Sequence, residues 1–95
     1  MRRKAKVDAN QKSLVRSLRQ IPGVTVSDTS KLGEGFPDIV VGYKKRNWLI
    51  ELKDGNKPPS AQKLTPAQVE FMEEWQGQVD VCNCLDDVLK LIMSN

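Results

Sequence analysis

Two stretches of this sequence decide its fold: Pro37-Asp38-Ile39-Val40-Val41-Gly42-Tyr43 and Trp48-Leu49-Ile50-Glu51-Leu52-Lys53. Each contains a short run of β-branched, aliphatic and aromatic residues, which favour strands. The polar segment Lys44-Lys45-Arg46-Asn47 separates the two runs by about four residues, a spacing that predicts a β-hairpin. Glu51 and Lys53 are two residues apart on the second strand, so their side chains project from one face of the sheet.

Charged side chains inside otherwise apolar strands are costly unless they pair, reach solvent or hold an ion. Pairing around the hairpin turn brings the start of the first strand, at Asp38, near the end of the second, at Glu51 and Lys53. We therefore expect two carboxylates and one ammonium group to converge at one end of the sheet. By spacing alone, an ordinary Glu–Lys pattern on the solvent-exposed face of an antiparallel sheet is an alternative interpretation.

Helix and strand signals alternate on both sides of the hairpin. Apolar residues at Leu14, Val15, Leu18 and Ile21 predict an amphipathic helix, and Pro22-Gly23 ends it. The order α-β-β-β-α-β-α predicts an α/β fold with a mixed sheet flanked by helices. The expected elements are a helix at 9–20, strands at 24–26, 38–43 and 48–53, a helix that starts at 65, a strand at 78–84 and a helix at 86–93.

The helix that starts at residue 65 has a strong N-terminal signal. In Thr65-Pro66-Ala67-Gln68, threonine caps the helix, proline takes the first helical position and glutamine stands where a capping box has Glu or Gln. We expect Val69 and Met72, together with Phe71 and Trp75, to form the buried face of this helix.

Composition indicates one globular domain that spans residues 1–95, with residues 1–8 as a basic arm. The chain has 39% hydrophobic and 28% charged residues, which argues against a disordered chain. No apolar run approaches the ~20 residues of a membrane-spanning helix, so we expect no membrane partner. Residues 1–63 hold 14 Lys and Arg and 6 Asp and Glu, whereas residues 64–95 hold one Lys and six acids. This asymmetry favours a polyanionic partner bound by one face, with solvated surface charge as the alternative.

Residue types exclude several chemistries. The chain has no histidine, which rules out Ser-His-Asp and Cys-His triads and any His-ligated zinc site. Cys82 and Cys84 lack the CxxC redox spacing, and two thiolates do not complete a zinc site that needs about four ligands. We expect both on one face of a strand, as reduced packing residues of a cytoplasmic protein.

Pro37-Asp38 followed by Glu51-Leu52-Lys53 resembles the PD-(D/E)xK nuclease signature, which has Asp, then Glu, any residue and Lys. A preceding helix, the loop Gly35-Phe36-Pro37-Asp38, the segment ELKDG and a Gln-bearing helix resemble one branch more closely. That branch is the stand-alone VRR-NUC domain of phage-type proteins, a relative of Holliday-junction resolvases and structure-specific repair nucleases. The resemblance runs from about residue 8 to residue 92. It implies a restriction-endonuclease-like fold and a nuclease that acts in a bacterial or phage-infected cytoplasm.

Phosphodiester hydrolysis needs an activated water, a neutralised phosphate charge and help for the leaving group. Asp38 and Glu51 offer hard oxygen ligands that suit Mg²⁺ or Mn²⁺. The resemblance implies that the backbone carbonyl of Leu52 is a further metal ligand. Lys53 is expected to contact the attacking water or the scissile phosphate. No organic cofactor is expected.

The resemblance also implies catalytic roles for two glutamines. Many relatives carry an acid in the first helix, and Gln11 occupies the corresponding position, so a carboxamide replaces a carboxylate. A helix-start glutamine that faces solvent is the alternative. Gln68 matches a glutamine that these nucleases often carry near the site, and the capping box explains it equally well. Glu34 is either a further metal ligand or a solvated loop acid.

Basic residues that flank the expected site are candidates for DNA phosphate contacts, which position DNA without reading its sequence. Aromatic residues make up 5% of the chain, which favours recognition of DNA shape over base stacking. The charged turn 44–46 lies at the far end of the hairpin and is a candidate for solubility alone. The candidate phosphate-binding residues are Arg2, Arg3, Lys4 and Lys6 on the arm, Lys31 in the first loop, and Lys57 and Lys63 in the second.

We therefore expect a Mg²⁺- or Mn²⁺-dependent deoxyribonuclease that cuts branched DNA such as Holliday junctions as a two-fold homodimer. The candidate residues for the dimer surface or the core are Phe36, Trp48, Phe71 and Trp75. A non-catalytic DNA-binding module, with a structural ion-pair cluster in place of the site, is one alternative. A protein-interaction domain whose acidic C-terminal third binds a basic partner is another. Metal-dependent cleavage distinguishes the nuclease from both.

Overall fold

The computed structural model describes residues 9–94. The order α-β-β-β-α-β-α is confirmed within that range, with one added 3₁₀ turn at Pro59–Gln62. The basic arm and its four cations lie outside the described residues. The helices are α1 (Ala9–Arg19), α2 (Pro66–Glu74) and α3 (Leu85–Met93), and the strands are β1 (Val24–Asp28), β2 (Ile39–Tyr43), β3 (Arg46–Leu52) and β4 (Asp80–Cys82).

The four strands of the described region form one sheet in the order β1-β2-β3-β4. Strand β2 pairs antiparallel with β1 and β3, and β4 pairs parallel with β3. The predicted mixed sheet flanked by helices is confirmed. Ile39 lies opposite Ile50 in the register of β2 and β3, which brings the beginning of β2 beside the end of β3.

The hairpin turn is tighter than the sequence predicts. Tyr43 pairs with Arg46, so only Lys44 and Lys45 form the turn, and Arg46 and Asn47 belong to β3. The two lysines have φ of 53° and 67°. Two consecutive residues with positive φ match the right-handed twist of paired strands, which makes a two-residue turn the favoured connection.

One face of the sheet carries the core. Alternate residues of β2 and β3, such as Val41 and Ile50, have no exposed surface, and they pack in one cluster with buried residues of α1 and α3 such as Leu18 and Val88. The remaining buried members of that cluster are Leu14, Val15, Val24, Ile39, Trp48, Cys82 and Ile92. Because side chains alternate along a strand, Glu51, which follows Ile50, belongs to the opposite face.

Helix α2 does not have the buried face expected for it. None of its described residues is buried, and Val69 is 40% exposed. The helix contacts the loop that precedes β2 instead, where the ring of Phe71 lies 5.3 Å from that of Phe36 and stacks 4.9 Å from that of Trp75. Its N-terminal prediction is confirmed, because Thr65 caps it in a complete capping box.

The two cysteines are free, as expected, but they do not share a strand face. Strand β4 ends at Cys82, which is buried, whereas Cys84 is exposed at the N-cap of α3. Burial raises the pKa of the Cys82 thiol to about 12, which leaves it protonated and unreactive at neutral pH. None of the helices between residues 9 and 94 combines the length and apolar character needed to cross a bilayer.

Candidate active site

The register of the hairpin places Asp38, Glu51 and Lys53 at one end of the sheet. Asp38 immediately precedes β2, and its Oδ2 accepts a hydrogen bond of 2.9 Å from the backbone N–H of Leu52. Lys53 follows β3, and its backbone N–H donates to the carbonyl oxygen of Cys82 at 3.0 Å. The end of β3 is therefore held on both sides, by the Asp38 side chain before β2 and by the Cys82 carbonyl in β4.

The loop before β2 is fixed by Thr29, a residue that the sequence motifs do not single out. The Thr29 hydroxyl donates to the carbonyl oxygen of Pro37 at 2.7 Å, and its backbone N–H donates to the carbonyl oxygen of Asp38 at 2.8 Å. These two bonds hold the loop on both sides of the Pro37–Asp38 bond. A threonine nine residues before an aspartate has no sequence signal of its own, so only the structure identifies it.

Gln68 connects the charged groups to α2. Its Nε2 donates to Glu51 Oε2 at 2.8 Å, and its Oε1 accepts from Lys53 Nζ at 3.1 Å. The same Oε1 accepts from the backbone N–H of Thr65 at 2.9 Å, which completes the capping box. Both sequence interpretations of Gln68 describe its contacts, because one side chain caps the helix and contacts the charged pair.

Glu51 is 3% exposed, and its Oε2 lies 3.7 Å from Lys53 Nζ. Burial raises the pKa of Glu51 to about 8, and the neighbouring Asp38 carboxylate contributes to this rise against the opposing effect of Lys53. The Lys53 ammonium therefore does not offset the effects that raise the pKa of Glu51. The arrangement favours an additional positive charge beside Asp38 and Glu51.

Gln11 is buried in the first turn of α1, with 6% of its surface exposed. The alternative that it faces solvent is therefore wrong. Its Nε2 is a buried atom with no hydrogen-bond partner among the described residues. The amide lies near Asp28, whose pKa is lowered mainly by hydrogen bonds from Ser30 and further by the charge of Arg19.

Two solved structures are similar to this chain. One, named "VRR_NUC domain", is 28% identical in sequence with a TM-score of 0.59, and the match covers 87% of this chain and 89% of that one. The other, named "VRR_NUC domain protein", is 22% identical with a TM-score of 0.56, and the match covers 87% of this chain and 81% of that one. The chain folds as a VRR-NUC domain. Its fold is therefore that of a nuclease-domain family. No model of a protein family matches the sequence, and no curated protein matches it.

Nucleases of the VRR-NUC fold generally use divalent metal ions, and the donor atoms of this domain suit such an ion. The Asp38 and Glu51 carboxylates and the Leu52 carbonyl are all oxygen donors, as hard cations prefer. No group of three or more His, Cys, Asp or Glu side chains that could hold a metal occurs between residues 9 and 94. Side chains of the VRR-NUC domain would thus supply two ligands, and a carbonyl, water and substrate would supply the others.

The remaining predicted residues of the VRR-NUC domain lie at its surface. Lys31, Lys57 and Lys63 are exposed in the two loops. Glu34 is exposed at a φ of 57° and has no hydrogen bond or ion pair within residues 9–94, which favours the solvated loop acid over a metal ligand.

Proposed function

We propose that this VRR-NUC domain is a Mg²⁺- or Mn²⁺-dependent endonuclease of the PD-(D/E)xK type that hydrolyses phosphodiester bonds in DNA. The observation that carries the proposal is the convergence of Asp38, Glu51 and Lys53 at one end of the sheet, with Gln68 joining the last two. The carboxylates of Asp38 and Glu51 and the carbonyl of Leu52 would hold the metal. Gln11 would add a neutral amide where relatives have an acid.

Each side chain has a distinct part in the proposed reaction. A bound divalent cation supplies positive charge that neutralises the phosphate and lowers the pKa of water. The Leu52 N–H orients Asp38, and Gln68 orients Glu51 by donating to its Oε2. Lys53 is held by Gln68 Oε1 with N–H groups to spare, so its ammonium can contact the scissile phosphate or the attacking water.

We propose branched DNA, such as a Holliday junction, as the preferred substrate and a homodimer as the active form. Exposed Lys31, Lys57 and Lys63 in the loops beside the site support phosphate contacts that follow DNA shape. The contribution of the arm cations Arg2, Arg3, Lys4 and Lys6 is a proposal from the sequence alone.

The decisive experiment measures cleavage of four-way junction, flap and linear duplex DNA with Mg²⁺, Mn²⁺ or EDTA. Asp38→Asn and Glu51→Gln keep the shape of each side chain and remove its charge, so we expect both to lose cleavage by about two orders of magnitude or more while DNA binding persists. Glu34→Gln is the matched control, since it removes one exposed acid from the neighbouring loop, and we expect it to cleave like the wild type.

Retention of near wild-type cleavage by either site variant would refute the site. Salt-sensitive DNA binding by a wild-type protein that cleaves none of the substrates with either metal would instead support the non-catalytic DNA-binding module, in which Asp38, Glu51 and Lys53 form a structural ion-pair cluster.

A further inference from the structure

Helix α1 carries a cationic stripe that is separate from the basic residues of the arm and the two loops. Lys12, Arg16 and Arg19 occupy positions i, i+4 and i+7, which lie along one face of a helix. All three side chains are exposed. The seven residue-to-residue steps from Lys12 to Arg19 rise ~10 Å along the helix axis.

This stripe forms one side of a groove of about 380 Å³ between α1 and the edge strand β1. Arg19 crosses the groove, because its Nη2 donates to the carbonyl oxygen of Val26 at 3.0 Å. The groove is lined by Lys12, Val15, Arg16, Arg19, Gln20 and Asp28.

Three cations and one acid line the groove, and the acid, Asp28, interacts electrostatically with Arg19 rather than with Lys12 or Arg16. Lys12 and Arg16 have no hydrogen bond, ion pair or ring contact within residues 9–94. Asp28 is the groove's acid, and its Oδ1 already accepts from the backbone N–H of Ser30 at 3.0 Å and from the Ser30 hydroxyl at 2.6 Å. A concave surface with two cations that lack partners among residues 9–94 is suited to an anionic ligand.

The groove leads towards the candidate active site. Asp28 lies opposite Ile39 at the end of β1, and the next residue, Thr29, donates its backbone N–H to the carbonyl oxygen of Asp38. Gln11, whose buried Nε2 has no partner among the described residues, lies beside Asp28 and directly precedes Lys12. The cationic stripe therefore begins near the end of the sheet where Asp38 stands and extends away from it.

We propose that the groove between α1 and β1 binds the phosphate backbone of the DNA substrate through Lys12 and Arg16, with Arg19 at its far end. At 3.4 Å of axial rise per phosphate of one strand, the ~10 Å of the stripe corresponds to about three phosphates. The proposal rests on the proposed function, because it names a further contact surface for the same substrate.

The test compares two double variants that each remove two positive charges. Lys12→Gln with Arg16→Gln removes two cations of the groove and leaves the contact of Arg19 with Val26 intact. Lys44→Asn with Lys45→Asn is the control at the far hairpin turn, where asparagine tolerates the positive φ of both residues. Circular dichroism and thermal melting check that each variant folds.

The readout is equilibrium binding of fluorescent duplex and four-way junction DNA in EDTA, measured over a series of salt concentrations. We expect the groove variant to bind about tenfold or more weakly and to lose ~1.8 from the slope of log K against log salt concentration, since each phosphate contact on duplex DNA contributes ~0.9. The control should keep the wild-type slope.

Equal losses in both variants, or a wild-type slope in the groove variant, would overturn the proposal. Cleavage by the wild-type protein with metal is measured separately. If the wild type cleaves DNA and the groove variant binds it normally, the phosphate-binding role of the groove is refuted and the proposed nuclease activity is supported. If the wild type does not cleave DNA and the groove variant shows the reduced salt slope, the phosphate-binding role of the groove is supported and the proposed nuclease activity is refuted.

Discussion

At the scale of single residues, Gln68 links the start of a helix to the charged groups of the sheet. Its amide oxygen accepts from Thr65 and Lys53, and its amide nitrogen donates to Glu51. The position of the Lys53 ammonium therefore depends on where α2 begins. An amide suits this place, because it offers a donor to a carboxylate and an acceptor to an ammonium at once.

Replacing Lys53 with glutamine should lower the rate of DNA cleavage by about two orders of magnitude, since one electrostatic or acid–base group is removed. Metal affinity should persist, because the proposed ligands are Asp38, Glu51 and the Leu52 carbonyl. Single-turnover cleavage gives the rate, and calorimetry with Mg²⁺ at alkaline pH gives the affinity. Loss of Mg²⁺ binding by Lys53→Gln would assign Lys53 a structural role instead.

In the absence of metal, the buried Glu51 carboxyl should make the free energy of unfolding fall as pH rises. Its pKa of about 8 in the folded protein lies above the ordinary value of 4.5, so between these two values the folded chain holds a proton that the unfolded chain has released. The free energy of unfolding therefore decreases across this window, by ~1.4 kcal/mol per unit of difference in pKa.

Urea unfolding in EDTA at several pH values between about 4.5 and 8 measures this dependence. Glu51→Gln has no such proton and should give the flatter profile, so that its advantage over the wild type grows with pH. Added Mg²⁺ should restore stability to the wild type at the alkaline end and have little effect on the variant. Parallel pH profiles for the two proteins would contradict the prediction.

At the scale of elements, α2 is held at its N-terminus and along its aromatic side rather than by a buried face. The loop before β2 passes directly beneath the first turn, where a methyl group on Gly35 would overlap the carbonyl oxygen of Ala67. Phe36, the next residue, packs edge-on against Phe71. The glycine and the aromatic contacts together set the distance between α2 and the sheet, and with it the place of Gln68.

Gly35→Ala should separate α2 from the loop and displace Gln68 from its contacts with Glu51 and Lys53. Gly33→Ala is the matched control, because Gly33 has a nearly equal φ of 78° against 79°, but a methyl group there would have no neighbouring atom within 4 Å. Both variants bear the cost of a left-handed alanine, ~1–2 kcal/mol.

Only Gly35→Ala should add a steric penalty and reduce cleavage, by about tenfold or more if orientation of the charged groups limits the rate. Thermal melting and cleavage assays on the two variants provide the comparison. Equal activity in the two alanine variants would show that the closeness of α2 to the loop is not needed for catalysis.

At the scale of the whole molecule, charge and apolar surface are both unevenly distributed. The cationic stripe of α1 lies beside β1 at one edge of the sheet, whereas α2 carries the exposed acids Glu70, Glu73 and Glu74. Trp75 is 41% exposed at the C-cap of α2, but Trp48 is 5% exposed and belongs to the core. Of the residues considered for a dimer surface, Trp48 is therefore excluded.

A homodimer that prefers a four-way junction over linear duplex is the expected assembly. The described protomer measures 41 Å along its longest axis, which spans ~12 base pairs at 3.4 Å each, and a two-fold dimer would double that span and present two sites. Light scattering at ~150 mM salt and competition between junction and duplex test it. A monomeric mass at micromolar concentration, or equal cleavage of both DNAs, would contradict it.

The sequence by itself determined the order of the elements, the hairpin and the capping box of α2. These depend on neighbouring residues: short β-branched and apolar runs, Pro22-Gly23 after α1, and the Thr65-Pro66-Ala67-Gln68 motif. The meeting of Asp38 with the Glu51–Lys53 end was also predictable, since antiparallel pairing around a short turn leaves little freedom in register.

Only the tertiary structure decided which surfaces are buried and which glutamine contacts which charge. The apolar residues of α2 suggest a face buried in the core, yet α1 and α3 cover the packed face of the sheet. Helix α2 instead packs against Phe36 in the loop before β2. The burial of Gln11 and the bridge from Gln68 to Glu51 likewise join residues far apart in the chain. Helical periodicity identifies an apolar side but not its partner, because burial depends on how distant elements pack together.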